Sequence, residues 1–380
     1  MPSPTGVQYS GIWNLSSQAN AKGAGTWPVP FTYLYGWGQN NQGQLGLGNQ
    51  TNYSSPKQVG SGSTWAKIFT SQYSTLAIKS DKTFWVWGQG SNGKLGLGNT
   101  NSYSSPKQLG LLTNWLTASS GPYSGYAVKT DGTLWSWGGN NYGQLGLGNT
   151  TSYSSPKQVG SLTSWLDVAA SYHVVAVKTD GTLWSWGLNN YGQLGLGNTT
   201  YFSSPKQVGS LTNWLKVSVG QSQTYAIKTD GTMWSWGRNN NGALGISSSY
   251  YRSSPVQIGA LTTWSSVSGG LSYALAVKTD GTAWSWGINS SGQLGRGNTT
   301  QTSSPVQIGA LTNWSLVSGG DSTSMAIKTN GTIWGWGANG NGEIGLGNTT
   351  YYSSPKQIGS ATSWSKVSIG RGSSVLAISN

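Results

Sequence analysis

A chain of 380 residues is long enough for a large core, yet only 8% of it is Asp, Glu, Lys or Arg, where about 25% is usual, so Gly, Ser, Thr and Asn must provide most of its solvation. Twenty-one Lys and Arg against eight Asp and Glu leave a net charge of +13, which favours anionic partners such as polysaccharides, nucleic acid or charged surfaces. The lack of cysteine excludes disulfide and thiolate chemistry, and no run nears the roughly 18 apolar residues that span a bilayer, so membrane insertion is not expected.

In chain order, residues 1–30 come first, as an arm outside everything that repeats. They lack the basic start and apolar run of a secretory signal, so the chain is expected to stay where it is made or to leave by cell lysis. From residue 31 onward the sequence is periodic. Trp-Gly recurs at Trp37, Trp87, Trp137, Trp186, Trp236, Trp286 and Trp336, marking seven units of about 50 residues. Within a unit the alternation of "TLWSWG" puts Trp135 and Trp137 on one face, and runs such as Ala176, Val177 and Lys178 are short and turn-bounded, as in strands. Asp-Gly in "KTDGT" has the composition of a tight hairpin in which Gly takes a positive φ.

Four such runs per unit, "VSxG", "AVK", "LWSWG" and "PKQV", predict a four-stranded antiparallel sheet. Seven small sheets in succession predict an all-β, seven-bladed β-propeller over residues 31–380, because radial repetition leaves only short, protected edges. The last unit stops at "VLAISN", where "KTDGTLWSWG" is due, and the first begins "FTYLYGWG". N- and C-terminal strands are therefore expected to share one blade and close the ring.

The motifs that look chemical are read as scaffold. "GQLGLGN" could suit a phosphate loop, but no helix follows it whose N-terminus would face the phosphate, and seven copies favour turn geometry. Most of the 22 Trp hold fixed repeat positions, where large aromatics fill the space between blades. His173 is the sole histidine, Glu343 the sole glutamate, and most Asp lie in the hairpin turns, leaving Asp167 and Asp321. No metal site, cofactor or paired-carboxylate catalysis is expected from that set, and the chain reads as a non-enzyme.

Variation between units is more telling, since scaffold positions must repeat and a binding site need not. With "VSxG" innermost, the loop after it and the long "NxxGQLGLGNTT" loop share one face; the "KTDG" turns and "GSLTxW" share the other, where charges nearly cancel, as Lys129 against Asp131. The first loop differs in every unit, so recognition is assigned to its face, with Tyr123, His173 and Tyr273 as candidate contacts. A second pattern lies at the start of the outer strand. Tyr53, Tyr103, Tyr153, Phe202 and Tyr352 each precede a lysine, Lys57, Lys107, Lys157, Lys206 and Lys356, whereas the fifth and sixth units carry Arg252 with Val256 and Thr302 with Val306. The ten paired residues form either a basic, aromatic ligand-binding arc or the trace of a joint duplication of units five and six, and they stand as candidates on the first reading.

At "WGxNxxGQLGLG", "P.QV" and "VSxGxxxxLAVKTDGTLWSWG" the chain resembles the regulator of chromosome condensation repeat family, whose members are seven-bladed propellers. Family repeats usually place a His three residues before the Ala of "LAL"; here His173 keeps it, and Ser74, Ser124, Gln223, Tyr273, Thr323 and Ser374 stand elsewhere. The family's nucleotide exchange on a small GTPase is not carried over, because the evenly spaced units hold no inserted wedge loop. In the arm, "SGIWNLSSQANAKGAGTWP" is similar to the opening of tailed-bacteriophage structural proteins. The combined expectation is a virion structural or adhesion module, docked to other virion proteins by the arm and presenting its variable face to a host-surface glycan or protein. A polyanion- or nucleic-acid-binding module is the alternative, and a GTPase exchange factor the third reading.

Overall fold

Each short alternating run forms a strand of five or six residues, and the 28 strands of the described residues make seven four-stranded antiparallel sheets. The computed structural model describes residues 31–61 and 63–380; the arm assigned to residues 1–30 lies outside them. From inside to outside, blade two holds Trp65–Thr70, Ser74–Lys79, Phe84–Gly88 and Tyr103–Gln108, and blades three to seven repeat that order from Trp115, Trp165, Trp214, Trp264 and Trp314. Inner strands of successive blades touch all the way round, which makes the "VSxG" strand the innermost, as its sequence position implies.

Blade one is assembled from both chain ends. Trp364–Ile369 and Ser374–Ser379 supply its inner strands, Tyr33–Gly38 and Tyr53–Gln58 its outer ones. The join is a full antiparallel ladder running from Tyr33 opposite Ser379 to Gly38 opposite Ser374. Among the described residues no helix is long and apolar enough to cross a membrane.

The core lies in the seams. One cluster joins Tyr126, Val128 and Leu134 of blade three to Trp165, Val174 and Trp186 of blade four, and the other seams are filled alike. Every Trp-Gly tryptophan is fully buried and reaches back to the preceding blade: Trp137 Nε1 donates to Lys94 O at 2.9 Å, and Trp37 Nε1 to Glu343 O at 2.8 Å across the closure. Burying an indole removes about 150–250 Å² from water, a gross gain of roughly 4–6 kcal/mol at about 25 cal/mol per Å², and the hydrogen bond adds about 1 kcal/mol net. Nearer the axis, serines pin inner strands together. Ser119, Ser218, Ser268, Ser318 and Ser368 each accept a backbone N–H from the next blade at 3.0–3.2 Å.

A bulge in the outer strand explains the glycine-rich loop. In blade three, Tyr153 faces Gly138 and Lys157 faces Ser136, so four residues on one strand span two on the other. The preceding blade's loop clasps the displaced segment, with Gly98 N–H donating to Ser154 O at 2.8 Å. Gly93 approaches so closely that a Cβ there would lie 2.5 Å from Ser154 Cα, at a φ of +72°. Only glycine fits both demands.

Candidate ligand-binding face

The loops after the inner strands and the long loops before the outer strands emerge together, tied by backbone hydrogen bonds such as Gln89 N–H to Tyr73 O and Gly139 N–H to Tyr123 O, both 2.8 Å. The long loop is held by its own side chains. Asn140 Oδ1 accepts the Leu145 N–H at 2.9 Å while its Nδ2 donates to Asn149 O and Thr151 O, and Gln144 Oε1 accepts the Tyr142 N–H at 2.8 Å. These bonds fold "NxxGQLGLGN" back on itself, so the motif closes a turn and supports the face above it.

Across blades three and four this face carries a continuous run of tyrosines. Tyr123 meets Tyr172 at 5.9 Å between ring centres, Tyr172 meets Tyr142 at 6.3 Å, and Tyr142 meets Tyr201 at 6.1 Å, each edge to face. The two ends, Tyr123 and Tyr201, are 41% and 42% exposed, so the run opens to solvent from the channel mouth to the rim. A second pair, Tyr191 and Tyr251, lies across the next seam at 5.1 Å, with the Arg238 guanidinium 5.1 Å above Tyr191.

The run begins where charge is enclosed. Arg371 lies in the inner loop of blade one and Asp321 in that of the adjacent blade seven, and the Arg371 charge acts on Asp321 and on the Tyr172 hydroxyl. Burial pushes the Asp321 carboxyl up to about 6 despite the pull of Arg371, and it lowers the guanidinium to about 10. Arg371 Nη2 and Asp321 Oδ1 are both buried without a hydrogen-bond partner. Lower in the channel, Lys67, Lys216 and Asp167 share one position of the inner strand. Burial raises the Asp167 carboxyl to about 6 against the pull of both lysines. Among the described residues no group of three or more His, Cys, Asp or Glu gathers as a metal site would require.

Residues 33–78, 83–128, 131–177, 180–227, 230–277, 280–327 and 330–377 each match the regulator of chromosome condensation (RCC1) repeat. The chain belongs to the RCC1 repeat family. A second profile of the same repeat matches residues 214–243, 264–293 and 314–343, and no curated protein sequence matches the chain. Among solved structures, human WBSCR16 is similar with a TM-score of 0.81 at 19% identity, over 92% of this chain and 100% of that one. Prp20p of Saccharomyces cerevisiae, a protein studied for its binding to Gsp1p and histones, is similar with a TM-score of 0.81 at 18% identity over 93% and 92%. Yeast RCC1 (Prp20) in complex with Kap60 gives the same score and identity over 100% and 96%. At such identities the likeness is one of fold.

Within this RCC1 propeller the residues singled out by sequence fall into three settings. Tyr53, Tyr103, Tyr153, Phe202 and Tyr352 are half-buried on the outer strands, with Lys57, Lys107, Lys157, Lys206 and Lys356 exposed beside them. Each lysine lies 5.5–5.7 Å from the centre of its own blade's ring. Four residues apart on a strand is the same side, so aromatic and lysine co-occur because they form one cation–π unit. The structure spaces the five units around the perimeter, one per blade.

Tyr123 stands on the loop face, but His173 and Tyr273 are wholly buried. Thr224 Oγ1 donates to Gln193 O at 2.8 Å, so its lone pair accepts from His173 Nε2–H at 2.9 Å. Nδ1 is left unprotonated and without a partner, and burial pushes the imidazole down to about 3. Tyr273 donates to Thr323 O at 2.7 Å in the next blade. At His173 and Tyr273 the position that holds His in family repeats is thus a brace across the seam, whereas Ser74, Ser124 and Thr323 bond within their own blades.

On the opposite face the charges are balanced otherwise than by pairing. Lys129 Nζ sits 3.9 Å from the Trp135 ring centre and 5.0 Å from that of Trp115, while Asp131 Oδ1 accepts the N–H and hydroxyl of Thr133. The lysine goes to the indoles and the aspartate to its turn. Sequence reasoning passed over Tyr142, Tyr172, Tyr191, Tyr201 and Tyr251. For Tyr142 and Tyr191 the signal was departure from the repeat in the long loop, where Gln42, Asn92, Asn241, Ser291 and Asn341 hold their place in other units; Tyr172 lies in the variable inner loop.

Proposed function

We propose that this propeller is a non-enzymatic binding module whose loop face holds an extended glycan of a host surface. The carrying observation is the run Tyr123, Tyr172, Tyr142 and Tyr201, joined edge to face with both ends open. A contiguous exposed aromatic surface is uncommon on a protein without a partner, and tyrosine offers a flat apolar face with a polar tip. The run also crosses a seam, so it follows an elongated ligand better than a small one. A glycan array at physiological salt tests the reading: selective binding that Tyr123→Ala with Tyr201→Ala removes supports it, and no binding to any glycan overturns it.

The setting we infer is a tailed-bacteriophage particle, with residues 1–30 docking to other virion proteins. This rests on the resemblance of "SGIWNLSSQANAKGAGTWP" to phage structural proteins. Antibody against the propeller should label purified particles, and its failure to do so would remove the virion role while leaving the binding face. A polyanion-binding reading draws on the net charge of +13 and on Lys67 and Lys216 in the channel. It requires affinity for nucleic acid that falls steeply with salt.

A further inference from the structure

We propose a second sugar seat, in the groove between the long loop of blade five and the outer strand of blade six, which takes an uncharged hexose unit with its ring against Tyr250. The seat lies apart from the tyrosine run and stands without it.

The groove measures about 770 Å³, within the roughly 300–1,000 Å³ of small-ligand sites. Asn241 and residues 247–250 form one wall, residues 301–304 with Val306 the other. It exists because the repeat departs from itself on both walls. On the strand, every other blade offers an aromatic ring or, at Arg252, a long cation where blade six has Thr302, and five of them carry a lysine where it has Val306. The bulk of the cation–π unit is therefore missing. In the loop, Ser247 holds the place of Gly48, Gly98, Gly148, Gly197, Gly297 and Gly347, and Tyr250 holds a place that is Thr or Asn in the other six units. Departures in two different units thus line one cavity.

Ser247 takes a φ of +55°, in the left-handed region that the six glycines enter at +77° to +80° and that residues with a Cβ avoid. Strain of that kind clusters at binding sites. What the substitution adds is a hydroxyl, 2.8 Å from Ser304 Oγ across the groove, while the Ser247 N–H still donates to Ser303 O at 2.9 Å. Asn239 Nδ2 donates to Ser248 O and Tyr250 O at 2.6 and 3.1 Å. The backbone that carries Tyr250 is therefore fixed while its side chain stays 74% exposed, and binding has little loop ordering to overcome.

The lining selects the class of ligand. It holds hydroxyls and amides, from Asn241, Ser247, Ser249, Gln301 and Thr302, and no charged side chain. An anion finds no cation there and a cation no carboxylate. An apolar ligand would strip water from these groups and give nothing back. A hexose offers hydroxyl donors and acceptors around its rim and an apolar C–H face for the Tyr250 ring.

The test titrates the full chain with the methyl glycosides of glucose, galactose and mannose, read by saturation-transfer NMR. At least one should bind, with an affinity that salt leaves unchanged. Tyr250→Ala should weaken it about tenfold, the worth of one aromatic contact. Thr302→Tyr with Val306→Lys gives blade six the pair its siblings carry; it should fill the groove and abolish binding while the melting temperature holds or rises. Tyr123→Ala with Tyr201→Ala should leave glycoside binding as it is. Binding of none of the three glycosides, or binding that both groove variants leave intact, would overturn the proposal. Neither result touches the tyrosine run, whose reading fails only if no longer glycan binds. Should the filled variant not fold, Tyr250→Ala, at an exposed side chain, still decides the matter.

Discussion

Lys94 is where one unit departs from its siblings at a stability cost. Four other units place Gln44, Gln144, Gln193 or Gln293 there, and Gln144 Oε1 closes its loop by accepting a backbone N–H. Lys94 instead buries an ammonium, which donates to Gln89 Oε1 at 2.9 Å and Pro122 O at 3.2 Å and is pushed from 10.5 down to about 7 by burial. A folded value below the unfolded one means the unfolded chain binds the proton more tightly, so the penalty is full below about pH 7 and fades as pH rises toward 10.5. At about 1.36 kcal/mol per unit, the penalty is on the order of a few kcal/mol. Lys94→Gln should therefore raise stability at pH 6 by several degrees in melting temperature and by a small fraction of that at pH 10. A gain independent of pH would reject this account. In the sequence Lys94 is one more positive charge, because its burial depends on Pro122 of the next blade.

Strands and loops were legible to the extent that their constraints are local. The Asp-Gly hairpins, the alternation of "LWSWG" and the turn nature of "GQLGLGN" follow from φ preferences and side-chain direction within a few residues. The partner of an element was less legible. Trp137 Nε1 donates to Lys94 O, which has no other side-chain donor among the described residues, whereas Gln144 O accepts from both Trp186 Nε1 and Tyr126 Oη. Phenylalanine at either position removes the same donor from a seam of the same kind. Trp137→Phe should cost more than Trp186→Phe, by about 1–2 kcal/mol, because only the former strands a buried carbonyl. Denaturant melts of the two variants measure the difference, and equal losses would argue that the indole acts by volume alone. In the loop, Gly93→Ala combines a φ of +72° with a 2.5 Å approach to Ser154. It should lower the melting temperature, while Gly110→Ala, whose Cβ would meet nothing within 4 Å, bears only the strain of its own φ.

For the whole molecule the decisive feature is the closure. The ladder between Tyr33–Gly38 and Ser374–Ser379 and the reach of Trp37 to Glu343 O join the ends of the chain without a covalent bond. Each blade buries its faces only against its neighbours, so an opening exposes two half-seams at once. Removing residues 31–38 should lower the melting temperature by about 5 °C or more, as loss of several kcal/mol implies for a chain of this size. An unchanged melt would refute closure by the shared blade.

The repeat by itself determined seven units, four strands in each and the sharing of one blade by the two ends. It could do so because period, alternation and the offset between first and last unit are properties of order along the chain. The tertiary structure decided which variable residues face outward. His173 and Tyr273 each open the strand that follows a variable loop, yet point into seams, while Tyr142 and Tyr201 come from different units and meet only because the ring sets one blade's loop against the next blade's outer strand. Exposure is settled by what packs against a side chain. In a ring of near-identical wedges that neighbour lies some 50 residues away, beyond the reach of any local pattern.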